Sequence, residues 1–351
     1  MKKSTQQRLA PHLKGPGFLE TVKGLINPLP KMFDVLQIEV SSTCPASCTY
    51  CPHTTMADEW KNALISPQTY AAAWPLFRQA GRVHLQGWGE PFLHPQFFDF
   101  VELARRADCQ VSTTSCGLIM NEALALKIVK SGLDVVAFSL AGVTAAGNAS
   151  RAGAPFDKVC TAIKLLQKVR KEHMAVHLEL HIAYMVLASQ IDEMYGLPDL
   201  LDELDIHAAV VSTMDFVPSK EMAHEAFMPH EQEKIAKART VLEEISKTAQ
   251  SRGREIFYSL PKPEPRNTCL EHIERSLYIA ADGAVSPCIY VNLPTTTANP
   301  MRRVYGNINN ENPLDIWNKP EYAAFRSNLA NATPDLNCQS CPKRYAVGNR
   351  E

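Results

Sequence analysis

The chain has 351 residues, of which 45% are hydrophobic, and its 36 basic and 37 acidic residues give a formal net charge of −1. This length exceeds that of a usual single domain, so we expect one large domain and a smaller one. The balanced charge favours neither nucleic acid nor a membrane surface as a partner. No apolar stretch approaches the roughly 20 residues of a membrane span, and the N-terminus lacks the apolar core of a signal peptide. We therefore expect a cytoplasmic protein that binds neither nucleic acid nor membrane.

The chain begins with an irregular, proline-containing lead-in, residues 1–34, and then alternates between strand and helix patterns. The predicted strands are Val35–Val40, Arg82–Gln86, Gln110–Thr114, Asp134–Leu140, Val176–Met185 and His207–Ser212. The predicted helices between them are Pro67–Ala80, Gln96–Ala107, Asn121–Lys130, Phe156–Lys171 and Ile191–Leu204. Such alternation is typical of parallel strands with right-handed crossovers, which form an α/β sheet or barrel. A charged helix, Glu231–Gly253, and a linker carrying Pro261, Pro263 and Pro265 then lead out of this region.

The first candidate site is a group of three cysteines, Cys44, Cys48 and Cys51, spaced C-x3-C-x2-C directly after the first predicted strand. Thiolates this close together on a loop suit zinc or an iron–sulfur cluster. A structural zinc site needs four protein ligands, and His53 is the only spare donor nearby. Three thiolates on a four-iron cluster would leave one iron open for a substrate or cofactor, so the ligand count favours a cluster.

A second group of four cysteines lies in the last quarter of the chain, at Cys269, Cys288, Cys338 and Cys341. Between the first two, Asp282-Gly283 predicts a β-hairpin, and a helix is predicted around Glu321–Leu329. Four cysteines can fully ligate a zinc ion or a four-iron cluster, and the spacing leaves both open. The other three of the ten cysteines are scattered, so the distribution indicates two metal sites rather than disulfides: Cys109, Cys116 and Cys160.

The first cysteine group, with the aromatic Tyr50 just before its last member, resembles the CxxxCx(aromatic)C motif of radical S-adenosylmethionine (SAM) enzymes. This resemblance covers about residues 35–345 and implies an α/β fold, a partial (β/α)6 barrel of the radical SAM type over residues 35–255. The segment 266–345 resembles the twitch and SPASM extensions of that family through C-x13-G-x4-C, Gly-Asn-Ile, Ile-Trp and CxxC. It implies a small α+β hairpin-and-helix domain that carries an auxiliary cluster. Because only ten residues, none of them Cys, follow Cys341, we expect the shorter, twitch-like form with one auxiliary [4Fe–4S] cluster. Its ligands would be Cys269, Cys288, Cys338 and Cys341.

The same resemblance implies which residues contact SAM. The turn 87–91, Gly-Trp-Gly-Glu-Pro, resembles the family's GGEP turn, with Trp in place of the first glycine. The resemblance therefore implies contact with the SAM amino group for Gly89 and Glu90 only. Ser139 matches a hydroxyl that contacts SAM, although Ala141 replaces the Asp usual after this Ser-Leu pair. Arg151 matches the arginine that holds the SAM carboxylate, for which a guanidinium fork is well suited. Tyr50 completes the predicted cofactor-binding set.

The resemblance implies a radical SAM oxidoreductase or maturase with two [4Fe–4S] clusters, the SAM-binding one held by the first cysteine group. An electron from a reduced flavodoxin or ferredoxin would cleave SAM to methionine and a 5′-deoxyadenosyl radical. That radical would take a hydrogen atom from a small molecule, a peptide or a protein, most simply in an oxidation. One alternative is an epimerase in which a thiol, with Cys116 as the candidate, returns a hydrogen atom. Another is a non-catalytic iron–sulfur or zinc protein that carries electrons or serves as a scaffold.

Two further polar residues, Glu179 and His181, lie on the same face of the fifth predicted strand because they are two residues apart. They fit two hypotheses equally well. One is a polar contribution to the SAM or substrate site, and the other is a mutually satisfied pair in the barrel wall.

The metal content tests these ligand assignments. Reconstituted protein should hold about eight iron atoms, and simultaneous replacement of Cys44, Cys48 and Cys51 by Ala should leave about four. The triple variant should retain the absorption of the auxiliary cluster and lose SAM cleavage. Iron analysis and chromatography of the SAM products measure both effects, and a triple variant that still cleaves SAM would contradict the assignment.

Overall fold

The computed structural model describes residues 31–295 and 302–350, so most of the predicted lead-in, residues 1–34, lies outside the described residues. These residues form one sheet of eleven strands: β1 Phe33–Ile38, β2 Ala80–Leu85, β3 Gln110–Ser115, β4 Val135–Leu140, β5 Glu179–Val186, β6 Ala208–Thr213, β7 Glu255–Pro261, β8 Ser276–Ile279, β9 Ala284–Ser286, β10 Gly306–Asn307 and β11 Ala346–Gly348. Their order across the sheet is β10-β9-β8-β1-β2-β3-β4-β5-β6-β7-β11.

Strands β1 to β7 are parallel neighbours in chain order. The helices between them are α1 Pro52–Thr55, α2 Pro67–Ala72, α3 Trp74–Phe77, α4 Phe97–Arg105, α5 Glu122–Lys130, α6 Phe156–Glu172, α7 Leu197–Glu203 and α8 Gln232–Ser251. The C-terminal part adds α9 Pro313–Trp317, α10 Pro320–Ala330, α11 Leu336–Gln339 and α12 Pro342–Tyr345. The predicted α/β fold with a partial barrel and a C-terminal extension is therefore confirmed. Within the described ranges, no helix combines the length and the apolar character needed to cross a membrane.

The strand side chains alternate between a buried face and a more open face. On β1, Leu36 and Ile38 have no exposed surface, whereas Gln37 between them is only partly buried. On β4, Phe138 and Leu140 are likewise fully buried and Ser139 is partly buried. Because alternate side chains point to opposite faces, the helices cover the apolar face and the other face lines the barrel interior. The carboxyl ends of the parallel strands meet along one rim, which is where the loops discussed below lie.

Strand β7 was not predicted, because Pro261 was interpreted as part of a linker; Pro263 and Pro265 do lie in the irregular segment that follows. Pro261 is the last residue of β7, where it pairs with Ala346. A proline is tolerated at such a strand end because only a single ladder donor is lost there. Two predicted helices are also interrupted at prolines: the first breaks between α2 and α3 near Pro75, and the last begins as a 3₁₀ helix, Ala188–Gly196, before α7.

The C-terminal extension continues the barrel sheet on both of its edges. Strand β8 pairs in parallel with β1, and the predicted hairpin β8–β9 turns at Gly283, whose φ of +87° favours glycine. At the other edge, β11 pairs antiparallel with β7. The extension is therefore built onto the barrel through backbone hydrogen bonds on both sides rather than through side chains alone.

Candidate functional site

The first cysteine group lies on the loop that follows β1, at the rim of the barrel. Cys48 is buried beside Ala46 and Tyr50, and Cys44 and Cys51 pack partly buried against the same cluster. The main-chain N–H of Ala46 donates to the Cys44 sulfur and that of His53 to the Cys51 sulfur. Such N–H···S bonds stabilise thiolates, so the loop presents three sulfurs in a form suited to a cluster.

Without a bound metal, burial disfavours the charged thiolate form of these cysteines. It raises the pKa of Cys51 to about 12 and raises the pKa of Cys48 as well. The pKa of Cys44 is lowered instead, chiefly because the Cys116 thiol donates a hydrogen bond to it. Metal binding must therefore displace protons from at least two of the three sulfurs.

The loop that carries Arg151 is bound to the cysteine loop through the backbone. The N–H of Ser47 donates to the Ala152 carbonyl (2.7 Å) and the N–H of Thr49 to the Ser150 carbonyl (2.9 Å). This close approach is helped by Gly153, whose φ is +79° and whose missing Cβ would lie 3.4 Å from the backbone of the cysteine loop. The spacing in sequence does not reveal this contact, because the two loops are about one hundred residues apart.

Arg151 is 7% exposed and has an unused hydrogen-bond donor. Its Nη1 donates to the Tyr50 hydroxyl (3.1 Å), while its buried Nε donates to no atom of the described residues. A buried, unsatisfied guanidinium donor is costly unless a ligand pairs with it. Its position beside the three thiols leaves room for the predicted contact with the SAM carboxylate, which stays a prediction. Tyr50 here positions the arginine, and its own contact with SAM stays a prediction.

The turn after β2 packs directly on the cysteine loop. A Cβ on Gly89 would lie 2.3 Å from the Ser41 carbonyl oxygen, so no other residue fits there without a shift of the backbone. The N–H of Glu90 donates to the Thr43 carbonyl (2.8 Å). The Glu90 carboxylate is 1% exposed and accepts hydrogen bonds from the Ser115 hydroxyl and from the N–H groups of Cys116 and Phe92. It therefore joins the ends of β2 and β3, and its predicted contact with the SAM amino group stays untested.

A residue that sequence reasoning missed, Glu39, holds this turn from the other side. Its carboxylate accepts the N–H of Trp88 (2.9 Å) and that of Ala281 (3.5 Å), and the Tyr278 hydroxyl also donates to it. A Cβ on Gly87 would lie 2.3 Å from the Glu39 side chain. Burial raises the pKa of Glu39 to about 7, against the effect of these three donors. The only sequence signal was an acidic residue at the end of an apolar strand.

The remaining predicted residues occupy different environments. Ser139 is partly buried near the carboxyl end of β4, on the inner face, as its predicted role requires. Glu179 lies at the opposite, amino end of β5 and accepts a hydrogen bond from His181 (3.0 Å), so these two residues form a polar pair away from the rim. Cys116 is 6% exposed and its thiol faces Cys44 and Glu90. It therefore lies behind the cysteine loop.

The second cysteine group converges on one cavity of about 350 Å³, whose lining includes Cys269, Cys288, Cys338 and Cys341. Main-chain N–H groups again point at the sulfurs: those of Glu271 and Ile273 at Cys269, that of Val291 at Cys288 and that of Lys343 at Cys341. In the described ranges, no group of three or more His, Cys, Asp or Glu side chains is placed to hold a single metal ion. Four sulfurs spread around a cavity of this size fit a ligand of several atoms, such as a four-iron cluster.

The fold and these two thiol sites define a protein that is built on a partial α/β barrel and equipped with two groups of candidate cluster ligands. Comparison with known proteins gives the family: residues 38–194 match the Radical SAM superfamily, and residues 269–342 match SPASM, an iron–sulfur cluster-binding domain. The chain therefore carries a radical SAM domain over residues 38–194 and a C-terminal SPASM-type extension over residues 269–342. Its cofactors are accordingly SAM, a SAM-binding [4Fe–4S] cluster and an auxiliary iron–sulfur cluster.

Similar proteins span nearly the whole chain. The PqqA peptide cyclase of Gluconobacter oxydans is 24% identical over 88% of this chain and 82% of its own length. The tungsten-containing aldehyde ferredoxin oxidoreductase cofactor-modifying protein of Pyrococcus furiosus is 22% identical over 89% and 88%. Among solved structures, Streptococcus suis SuiB bound to S-adenosylmethionine superposes with a TM-score of 0.66 at 16% identity, over 92% of this chain and 76% of SuiB. SuiB has also been solved bound to the precursor peptide SuiA.

Loss of the Arg151 guanidinium should weaken SAM binding. Arg151→Ala removes the buried guanidinium predicted to pair with the SAM carboxylate, so we expect a loss of about 2–4 kcal/mol in binding free energy with the clusters intact. Calorimetric titration of unreduced, cluster-loaded protein with SAM measures it. Arg170→Ala is the matched control. The Nη1 of Arg170 also donates to a protein oxygen, and its Nε is also buried and unpaired. Arg170 differs in that it lies on α6. Unchanged affinity in Arg151→Ala would show that this residue serves the fold alone.

Glu39 should make the free energy of unfolding depend on pH. Its folded pKa of about 7 lies above the reference value of 4.5, so its contribution is fully present below pH 4.5 and is lost as the pH rises through 7. Between pH 6 and pH 8, the wild type should lose about 1 kcal/mol relative to Glu39→Gln.

Anaerobic denaturant unfolding at the two pH values measures this loss, with the exposed Glu59→Gln as control. The Glu59→Gln variant should follow the wild type. Parallel pH dependence of the wild type and Glu39→Gln would contradict the raised pKa.

Proposed function

We propose that this chain is a radical SAM maturase that oxidises a peptide substrate by removing hydrogen from it. The observation that carries the proposal is the joint placement of three thiols and the unpaired Nε of Arg151 on two loops joined by backbone hydrogen bonds. An electron carrier or a scaffold has no need for a buried guanidinium donor aimed beside its cluster. A SAM-dependent enzyme needs one for the carboxylate of its cofactor.

Each residue has a definite part in this proposal. Cys44, Cys48 and Cys51 hold the SAM-binding cluster, and Cys269, Cys288, Cys338 and Cys341 hold the auxiliary one. Arg151 pairs with the SAM carboxylate, and the turn of Gly89 and Glu90 together with Ser139 orients the rest of SAM over the barrel interior. When bound, the clusters and SAM supply one-electron chemistry, namely the reductive cleavage of SAM and the acceptance of the electron that substrate oxidation releases. The barrel rim positions the substrate C–H bond and excludes water.

The substrate class is inferred from relatives. A PqqA peptide cyclase and the peptide-bound SuiB are both similar to this chain along most of its length, which supports a peptide. The inner face of the barrel also carries polar groups, such as His84, which is hydrogen-bonded to Ser112 (2.9 Å) and to Gln86 (2.9 Å). A reduced flavodoxin or ferredoxin is the proposed electron donor.

Cys116 favours oxidation over epimerisation. A hydrogen donor must reach the substrate radical, but this thiol is buried and faces Cys44 and Glu90. After back-exchange into H2O, an oxidised product should be two mass units lighter than the substrate and should carry no deuterium on carbon.

The experiment is in two stages. Dithionite-reduced protein should first produce 5′-deoxyadenosine and methionine from SAM in equal amounts without substrate, and absence of both products would contradict the enzyme assignment. Short peptides encoded beside the gene are then incubated in D2O and examined by mass spectrometry. Cys116→Ala should give the same product as the wild type, whereas deuterium on carbon that depends on Cys116 would establish the epimerase instead.

A further inference from the structure

A group of three partly buried charged side chains lines the auxiliary cavity and has no part in the proposal above. The Nζ atom of Lys343 lies 3.2 Å from Oδ2 of Asp215 and 3.0 Å from Oε1 of Glu271. The side chains of Lys343 and Asp215 are only 16% and 4% exposed, and that of Glu271 is 23% exposed. The Tyr290 hydroxyl also donates to Asp215 (3.4 Å). We call Asp215, Glu271 and Lys343 the ion cluster.

The ion cluster joins the barrel to the auxiliary site. Asp215 follows β6 at the barrel rim, Glu271 lies two residues after Cys269, and Lys343 lies two residues after Cys341. All three line the cavity on which the four cysteines converge. The Asp215 carboxylate is close enough to act electrostatically on the Cys341 sulfur, and the Glu271 carboxylate on the Cys288 sulfur.

Stability alone is a weak reason for such an arrangement. Burying ion pairs costs desolvation energy that their attraction often only balances, and apolar residues of similar size serve as well or better. Charges near an iron–sulfur cluster, by contrast, change its reduction potential, because reduction adds a negative charge to the cluster. In a poorly hydrated site these interactions are strong. An ammonium there favours the reduced cluster, and a carboxylate opposes it.

Other charges lie near the cysteines as well. Arg303 and Arg344 are close to Cys338, where Arg303 pairs with Asp335 (2.9 Å) and Arg344 donates to the Arg266 carbonyl (2.9 Å). Of the charged side chains that line the cavity, Asp215 is the one that the barrel contributes. Through Asp215, the end of β6 is electrostatically connected to the auxiliary sulfurs.

We propose that the ion cluster of Asp215, Glu271 and Lys343 sets the reduction potential of the auxiliary iron–sulfur cluster, with Asp215 acting on it from the barrel rim. These are positioning residues, since they act on the cofactor through charge and through the hydrogen bonds that hold that charge. The proposal rests on the ligand set Cys269, Cys288, Cys338 and Cys341 proposed above.

The test is an anaerobic redox titration of the full, cluster-loaded chain followed by electron paramagnetic resonance, with and without SAM. The signal of the SAM-binding cluster responds to SAM, which identifies the other signal as the auxiliary one. Lys343→Met should reduce the equilibrium constant for reduction of the auxiliary cluster at least tenfold, which is 59 mV for a one-electron couple. Asp215→Asn should shift the potential in the opposite direction, and Lys343→Arg should retain the wild-type value.

The matched control is Lys319→Met. Lys319 also pairs with a carboxylate, Glu311 (2.6 Å), and is also partly buried in the extension, but it does not line the cavity. In the Lys319→Met variant, the reduction potential of the auxiliary cluster should stay at the wild-type value. Shifts of the same sign in Lys343→Met and Asp215→Asn, or shifts below threefold in both, would overturn the proposal. A wild type without any auxiliary signal would overturn the ligand set itself, so the two failures are distinguishable.

Discussion

Both edges of the parallel sheet are paired by strands from one C-terminal segment, and the arrangement of the two thiol sites depends on this pairing. Strand β8 extends the sheet beyond β1, and β11 extends it beyond β7. Unpaired edge strands expose backbone donors and acceptors, so both pairings satisfy groups that would otherwise face solvent. Asn349 completes the second edge with hydrogen bonds to Tyr258 and Ile256. Because this segment is fixed at both ends, Cys288, Cys338 and Cys341 are held between the two pairings, and Cys269 lies shortly before β8.

The cysteine loop is held in a similar way, by contacts with segments that are distant in sequence. Backbone hydrogen bonds join it to the Arg151 loop on one side and to Glu90 on the other. On these two sides, the contacts involve main-chain atoms, which lose little entropy on ligand binding because they are already ordered. A site made from three strand-end loops is thereby preorganised before its cofactor binds. The glycine at position 89 belongs to this constraint, since its close neighbours are backbone atoms of the cysteine loop.

The parts of this fold that depend on local patterns could be predicted from the sequence. Strands β1 to β6 follow from alternating apolar runs, and the β8–β9 hairpin follows from Asp282-Gly283. Strand β7 could not be predicted, because a proline in such a sequence is typical of a linker. Only the structure shows that this proline lies at the strand end, where it pairs with Ala346. The roles of Glu39 and Asp215 could not be predicted either. Each is an ordinary acidic residue until distant segments cover it, and no local pattern carries that information.

Those two carboxylates show how the extension changes the chemistry of the barrel. Glu39 follows β1 and Asp215 follows β6, so both lie at strand ends on the rim, where carboxylates are usually solvated. The extension covers both of them: Tyr278 and the N–H of Ala281 bond to Glu39, and Tyr290 and Lys343 bond to Asp215. Burial raises the pKa of each carboxyl group. The ring of Tyr290 also contacts that of Trp88, next to the predicted SAM-binding residues Gly89 and Glu90 (5.8 Å between centroids). The rim and the extension are therefore joined by polar and aromatic contacts, and the extension sets the environment of carboxylates that the barrel contributes.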